Sequence, residues 1–105
     1  PAGMAASAYL AQNGYQVDVF EKNDRAGGLM IYGIPNFKLD KNIVERRTQW
    51  LQESGVKFNL NTEVGKNISF QDLEKDYDAI LIATGVYKAR KLDIDTSSVV
   101  NSIPA

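Results

Sequence analysis

Five consecutive apolar residues, Ala79-Ile80-Leu81-Ile82-Ala83, constrain this chain more than any other stretch. They follow Tyr77-Asp78 and stop abruptly at Thr84-Gly85. A strand with one wet face alternates apolar and polar residues. A short unbroken apolar run suits a strand covered on both faces, as in a parallel sheet. Parallel neighbours are joined by long crossovers, usually helical. The remaining residues should then alternate between helix and strand.

They do. Ala2 to Gln12 reads as a helix, apolar nearly all round and rich in alanine, which permits close approach to a sheet. Gly14 stops it. Val17 to Phe20 reads as a strand, and Glu21 to Gly28 as a polar loop ending in a glycine pair. Leu29 to Pro35 is apolar but broken by Gly33 and Pro35, a poor central strand and better read as a loop lining a buried site. Asp40 caps a helix predicted over Lys41 to Ser54, with Ile43, Val44, Trp50 and Leu51 on one face and Arg47 interrupting the stripe. On this reading Trp50 is core packing. Arg46-Arg47 is a solvated face, with a subunit or domain contact as the lesser alternative. After Gly55, Val56 to Asn61 alternates with the period of a half-buried strand. Thr62-Glu63-Val64-Gly65 makes a turn or short strand, and Ser69 to Asp72 has capping-box spacing for a helix to about Lys75. Thr96 to Ala105 reads as loop. The fold class expected is α/β with a Rossmann-like parallel sheet.

With 105 residues the chain is one domain or part of one, and residues 91–105 look linker-like. A net charge of −1 gives no electrostatic case for nucleic acid or an anionic membrane. There is no apolar run long enough to span a bilayer, so a soluble, cytoplasmic protein is expected. The chain has no Cys and no His. Thiolate-held iron–sulfur clusters, zinc ribbons and Ser-His-Asp or Cys-His catalysis within these residues are thereby excluded. No catalytic side chain and no metal ligand is assigned.

Pro1-Ala2-Gly3 looks like the tail of a Gly-x-Gly-x-x-Gly fingerprint, with Glu21 at the spacing of the acid that follows it. In that fingerprint the last glycine allows close helix–sheet packing, and the helix N-terminus faces a pyrophosphate. The acid at the end of the second strand takes a ribose diol, whereas a 2′-phosphate would want a cation there. Glu21 thus argues for FAD or NAD. A helix beginning this early suggests a fragment of a longer polypeptide, lacking the first strand and its glycines.

Pro1-Ala2-Gly3, Glu21, Arg25-Ala26-Gly27-Gly28 and Ala83-Thr84-Gly85 come in an order that resembles the flavin-binding half of the two-dinucleotide-fold flavoprotein reductases. Gly27 through Pro35, then Lys38-Leu39-Asp40 and Asn61 through Gly65, is similar to the small (β) subunit family of NADPH-dependent glutamate synthase. The resemblance runs from about Pro1 to Arg90. It implies that Gly3 faces the FAD pyrophosphate, that Glu21 binds the adenosine ribose, and that Gly27, Gly28 and Leu29 let backbone approach the ribityl and flavin portion. It further implies that Val64 meets the adenine through its backbone and that Ala83, Thr84 and Gly85 close over the cofactor. It assigns NADPH and iron–sulfur clusters to the parent outside these residues, and a large (α) subunit as partner.

Two other readings stand beside this one: an NAD-binding module of another dehydrogenase, and a non-catalytic Rossmann module. In the strand order 3-2-1-4, the absent first strand would sit between Val17–Phe20 and Tyr77–Ala83. The fragment is expected to close that gap, to borrow a strand by self-association, or to be ordered only within a larger molecule.

Overall fold

Two glycines in the left-handed region set the frame of the fold. The computed structural model describes residues 1–87, and the linker-like reading of 91–105 lies outside them. Helix α1 runs Ala2–Gln12. Beyond it, Gly14 at φ 83° lets its N–H donate to the Ala11 carbonyl, and Tyr15 N–H donates to Leu10. Helix α3, Lys41–Glu53, ends the same way, with Gly55 at φ 93° donating to Gln52 and Val56 N–H to Leu51. Both are Schellman ends, which glycine makes without strain at C′. Each turns the chain directly into a strand: β1, Asp18–Phe20, and β2, Lys57–Asn59.

These strands pair in parallel, Asp18 opposite Lys57 and Phe20 opposite Asn59. Lys57 Nζ lies 3.6 Å from Asp18 Oδ2 across the pair. The β1 strand thus leads through two helices into a parallel neighbour, as the helix–strand alternation requires. The core packs Met4 of α1, Ala26, Leu51 of α3 and Val56 together, with Ala8, Ala11, Val17, Val19 and Phe58 against them. Ser7 is buried in α1 but satisfied, donating to the Gly3 carbonyl at 2.7 Å.

The helix caps fall where the sequence places them. Asn42 N–H donates to Asp40 Oδ1, and Asp72 N–H donates to Ser69 Oγ at the start of α4, Phe70–Asp76. Three expectations need correction. Leu29 to Pro35 is not loop throughout: Leu29–Tyr32 forms a four-residue helix, α2, with Ile31 buried. Trp50 is not core packing but is 43% exposed. The two stripes of α3 explain this: Val44 and Leu51 point inward, while Ile43, Arg46, Arg47 and Trp50 share the outer face. A heptad-spaced apolar pair cannot say which of two adjacent stripes meets the core.

The third correction concerns Tyr77 to Ala83. Among the described residues the sheet has only β1 and β2, and this run belongs to no strand. Leu81 and Ile82 are 64% and 72% exposed. Side chains on either side of the run tie its ends to β1 and the turn after it: Tyr77 to Asp18 and Phe20, and the Tyr87 ring 4.0 Å beneath Lys22 Nζ. An apolar run makes a strand only when a neighbour supplies hydrogen bonds, and no described strand does so here.

Candidate functional site

Helix α1 starts at Pro1 without any side-chain cap, so its first N–H groups carry the positive end of the helix dipole unopposed. Two of the other stretches singled out in the sequence converge on that end. A Cβ on Gly28 would come 3.3 Å from the Pro1 ring, and a Cβ on Gly3 would sit 3.6 Å from the Ala83 methyl. Gly3, Gly28 and Ala83 therefore meet at one helix N-terminus although they lie as far apart as positions 3 and 83 in sequence.

The two glycines of the Gly27-Gly28 pair do different work. Gly27 has φ 123°, and a Cβ there would meet Val44 Cγ1 at 2.7 Å and Ile31 Cγ1 at 2.9 Å. Gly27 is thus required by packing between α2 and α3. Gly28, at φ 55°, is the N-cap of α2 and faces the α1 terminus. Leu29 follows at 61% exposure, on the open side of the pair.

Glu21 leaves β1 half-buried, its backbone N–H bonded to the Asn59 carbonyl and its own carbonyl accepting from Thr62. Its Oε1 accepts from both Asn23 N–H, at 3.0 Å, and Asn23 Nδ2, at 2.8 Å. This local turn orients the carboxylate and leaves Oε2 without a protein donor among the described residues. Asn61 N–H donates to the Asn23 carbonyl, so the loop carrying Val64 is hooked to the Glu21 turn. Val64 is part-exposed and forms a single bridge with Ile68. Thr84 and Gly85 lie exposed outside any helix or strand, and a Cβ on Gly85, at φ 73°, would meet nothing within 4 Å.

Three contributors escape a reading of sequence alone. Lys41 Nζ donates 2.7 Å to the Met30 carbonyl and also to Ile34, closing the C-terminal end of α2 from the first residue of α3. Tyr32 is held by Asp24 and by Arg25 N–H, with the Arg25 guanidinium 5.5 Å over its ring. Burial and the Asp24 carboxylate push its phenol pKa up. Asn59 Nδ2 is buried with no partner among the described residues, on the strand position that supports Glu21.

No described helix is long and apolar enough to cross a membrane, and no group of three or more acidic side chains could hold a metal among the described residues.

Known proteins share this sequence closely. The chain is 47% identical over its full 105 residues to the glutamate synthase [NADPH] small chain of Azospirillum brasilense, covering 22% of that protein. It is 50% identical over 95 residues to the Bacillus subtilis small chain, using 90% of this chain and 19% of that one. A putative oxidoreductase of Escherichia coli is 39% identical over 107 aligned positions, 99% of this chain and 17% of its own length. The chain therefore spans about a fifth of the length of these relatives. The family model described as an NAD(P)-binding Rossmann-like domain matches residues 1–61, more than half of the chain. With its α/β order, parallel pairing and helix terminus enclosed by small residues, the chain belongs to the NAD(P)-binding Rossmann-like domain family.

Proposed function

We propose that residues 1–105 form part of the FAD-binding domain of a glutamate synthase small chain-like oxidoreductase, with 91–105 as a linker. The observation that carries this reading is the meeting of Gly3, Gly28 and Ala83 at the uncapped end of α1. A diphosphate fits there for physical reasons. The free N–H groups and helix dipole favour an anion, and the absence of side chains at Gly3 and Gly28 leaves room for close approach. The identity to small chains supports the enzyme class.

In this reading the N–H groups of the first turn of α1 hold the diphosphate. The Glu21 Oε2 accepts from the adenosine ribose hydroxyls, while Asn23 fixes the other oxygen. Gly27, Gly28 and Leu29 pass the flavin along their backbone, Val64 meets the adenine, and Ala83, Thr84 and Gly85 close over the cofactor. When bound, the flavin supplies the redox chemistry, and the chain contributes position and electrostatics without a catalytic side chain. NADPH, iron–sulfur clusters and a larger partner chain belong to the cytoplasmic parent outside these residues. The fragment alone has no turnover.

A second reading takes the family description at its word and places NAD in this fold. Glu21 suits the free ribose diol of either FAD or NAD. The absorbance of the purified parent separates the two. A flavin spectrum that persists through dialysis is expected here, and a colourless parent that binds NAD would overturn the assignment.

A further inference from the structure

Helix α3 carries a second, outward stripe at i, i+3, i+4 and i+7: Ile43, Arg46, Arg47 and Trp50. These four residues line an open depression of about 290 Å³. Ile43 is 49% exposed and Trp50 43%, and the Arg47 guanidinium lies 5.2 Å over the Trp50 ring. Neither arginine has a carboxylate within ion-pair distance among the described residues, although Arg25, Lys57, Lys66 and Lys75 each have one. The stripe is separate from the cofactor site, since Val44 and Leu51 on the inner face are the residues that meet Gly27 and the core.

This combination is unlike an ordinary solvated face. A solvated helix face scatters Lys and Glu pairs, whereas tryptophan and arginine concentrate where partners dock. Stacked on the indole, the Arg47 guanidinium is pre-organised and still presents donors outward. Two adjacent forks of positive charge around an apolar ring are complementary to carboxylates flanking an apolar side chain. An electroneutral or basic surface would leave both guanidinium groups desolvated and unpaired.

We infer that the Ile43–Arg46–Arg47–Trp50 face of α3 is a docking surface for an acidic patch on the larger chain of the enzyme. The inference rests on the small-chain reading proposed above, and it adds the location and chemistry of the contact.

The test uses full-length parent and purified large chain, titrated against one another at low and moderate salt. Native parent that fails to bind the large chain would sink the small-chain reading itself, and the docking surface with it. If native parent binds, Arg46→Glu with Arg47→Glu should weaken the dissociation constant about 30-fold or more and flatten its salt dependence. Trp50→Ala should weaken it about tenfold or more, with the salt slope retained. Lys66→Glu with Lys75→Glu makes the same change in net charge elsewhere and should leave binding near native. Native affinity in the arginine variant overturns the proposal, and so does an equal loss in the lysine control. All five substituted residues lie on the surface, and the ion pairs of Lys66 and Lys75 are exposed and weak, so unfolding midpoints should stay close to the native value. An arginine variant that binds the large chain normally but unfolds early would mean that another part of the parent covers the face, which also overturns it.

Discussion

The Tyr77 hydroxyl donates to Asp18 Oδ2 at 2.7 Å across 59 residues of sequence. With the Phe20 ring set edge-on to the Tyr77 ring at 5.9 Å, this bond anchors the extended segment beside β1 where no backbone hydrogen bond does.

The bond makes a pH-dependent contribution of known sign. The hydrogen bond to Asp18, helped by burial, raises the Tyr77 pKa to about 12 in the folded chain. A raised folded pKa gives stability that is complete below the unfolded value near 10 and is lost as pH climbs to about 12. Tyr77→Phe should cost about 1–2 kcal/mol at neutral pH, from a hydrogen bond to a charged group at a part-exposed site. The difference in urea midpoint between native and variant parent should shrink between pH 10 and 12. A constant difference over that range would show that the phenol proton is not what Asp18 holds.

The glycine pair should separate folding from cofactor retention. Gly27→Ala puts a methyl 2.7 Å from Val44 Cγ1 at a φ of 123°, so α2 and α3 must move apart. Overpacking of this kind costs about 1–3 kcal/mol, with backbone strain added. Gly28→Ala carries backbone strain of its own at φ 55°, but its methyl meets only the Pro1 ring at 3.3 Å, so the overpacking part of the cost falls away. It should nevertheless purify with little flavin, because its methyl occupies the approach to α1. Thermal unfolding and flavin content per chain give the two readouts. Full flavin content in Gly28→Ala would reduce the pair to a turn.

Glu21→Gln keeps an oxygen for Asn23 but removes the charge offered to the ribose. Flavin retention should fall by the worth of a charge-assisted hydrogen bond, about 1.5–3 kcal/mol. Occupancy after exhaustive dialysis measures it. Occupancy equal to native would remove Glu21 from the site.

Lys41→Met deletes the ammonium that closes α2 on the Met30 and Ile34 carbonyls. Helix α2 has only four residues and cannot hold itself. The loss should be about 1–2 kcal/mol, with faster amide exchange confined to residues 29–34. Lys41→Arg, which can still donate to a carbonyl, should recover part of it. Unchanged exchange in Lys41→Met would mean that packing of Ile31 alone fixes the turn.

What the sequence made legible is local. Asp40 and Ser69 announce helix starts because their side chains bond the second or third N–H that follows. Gly14 and Gly55 announce ends because few other residues take a positive φ without strain. The order of elements then implies parallel pairing, and β1 and β2 pair so. The illegible parts depend on distant partners. Nothing near Trp50 in sequence says whether its stripe or that of Val44 meets the core. Nothing near Met30 announces that Lys41 caps it. Of the candidate site, Gly28 and Gly3 were legible as small residues, but the packing duty of Gly27 against Val44 appears only in three dimensions.

The run from Ala79 to Ala83 supports the last expectation. In a parallel ladder, alternate residues point their backbone groups to opposite edges of a strand. Val17 and Glu21 bond toward β2, through Lys57 N–H and the Asn59 carbonyl. Asp18 and Phe20 must then direct theirs to the other edge of β1, which Tyr77 contacts by side chain only. Apolar Ile80, Leu81 and Ile82 stand exposed beyond. Buried backbone groups without partners cost about 1–3 kcal/mol each, so the arrangement calls for one further parallel strand between β1 and this run. In the full-length parent, the Asp18 and Phe20 amides and alternate amides of 79–83 should be as strongly protected from hydrogen exchange as Val19. Free exchange at Asp18 and Phe20 with protection at Val19 would show an open edge in the native protein. Protection produced by direct pairing of 18–20 with 79–83, detected as cross-strand contacts between their Cα protons, would show that the two close on each other without a third strand.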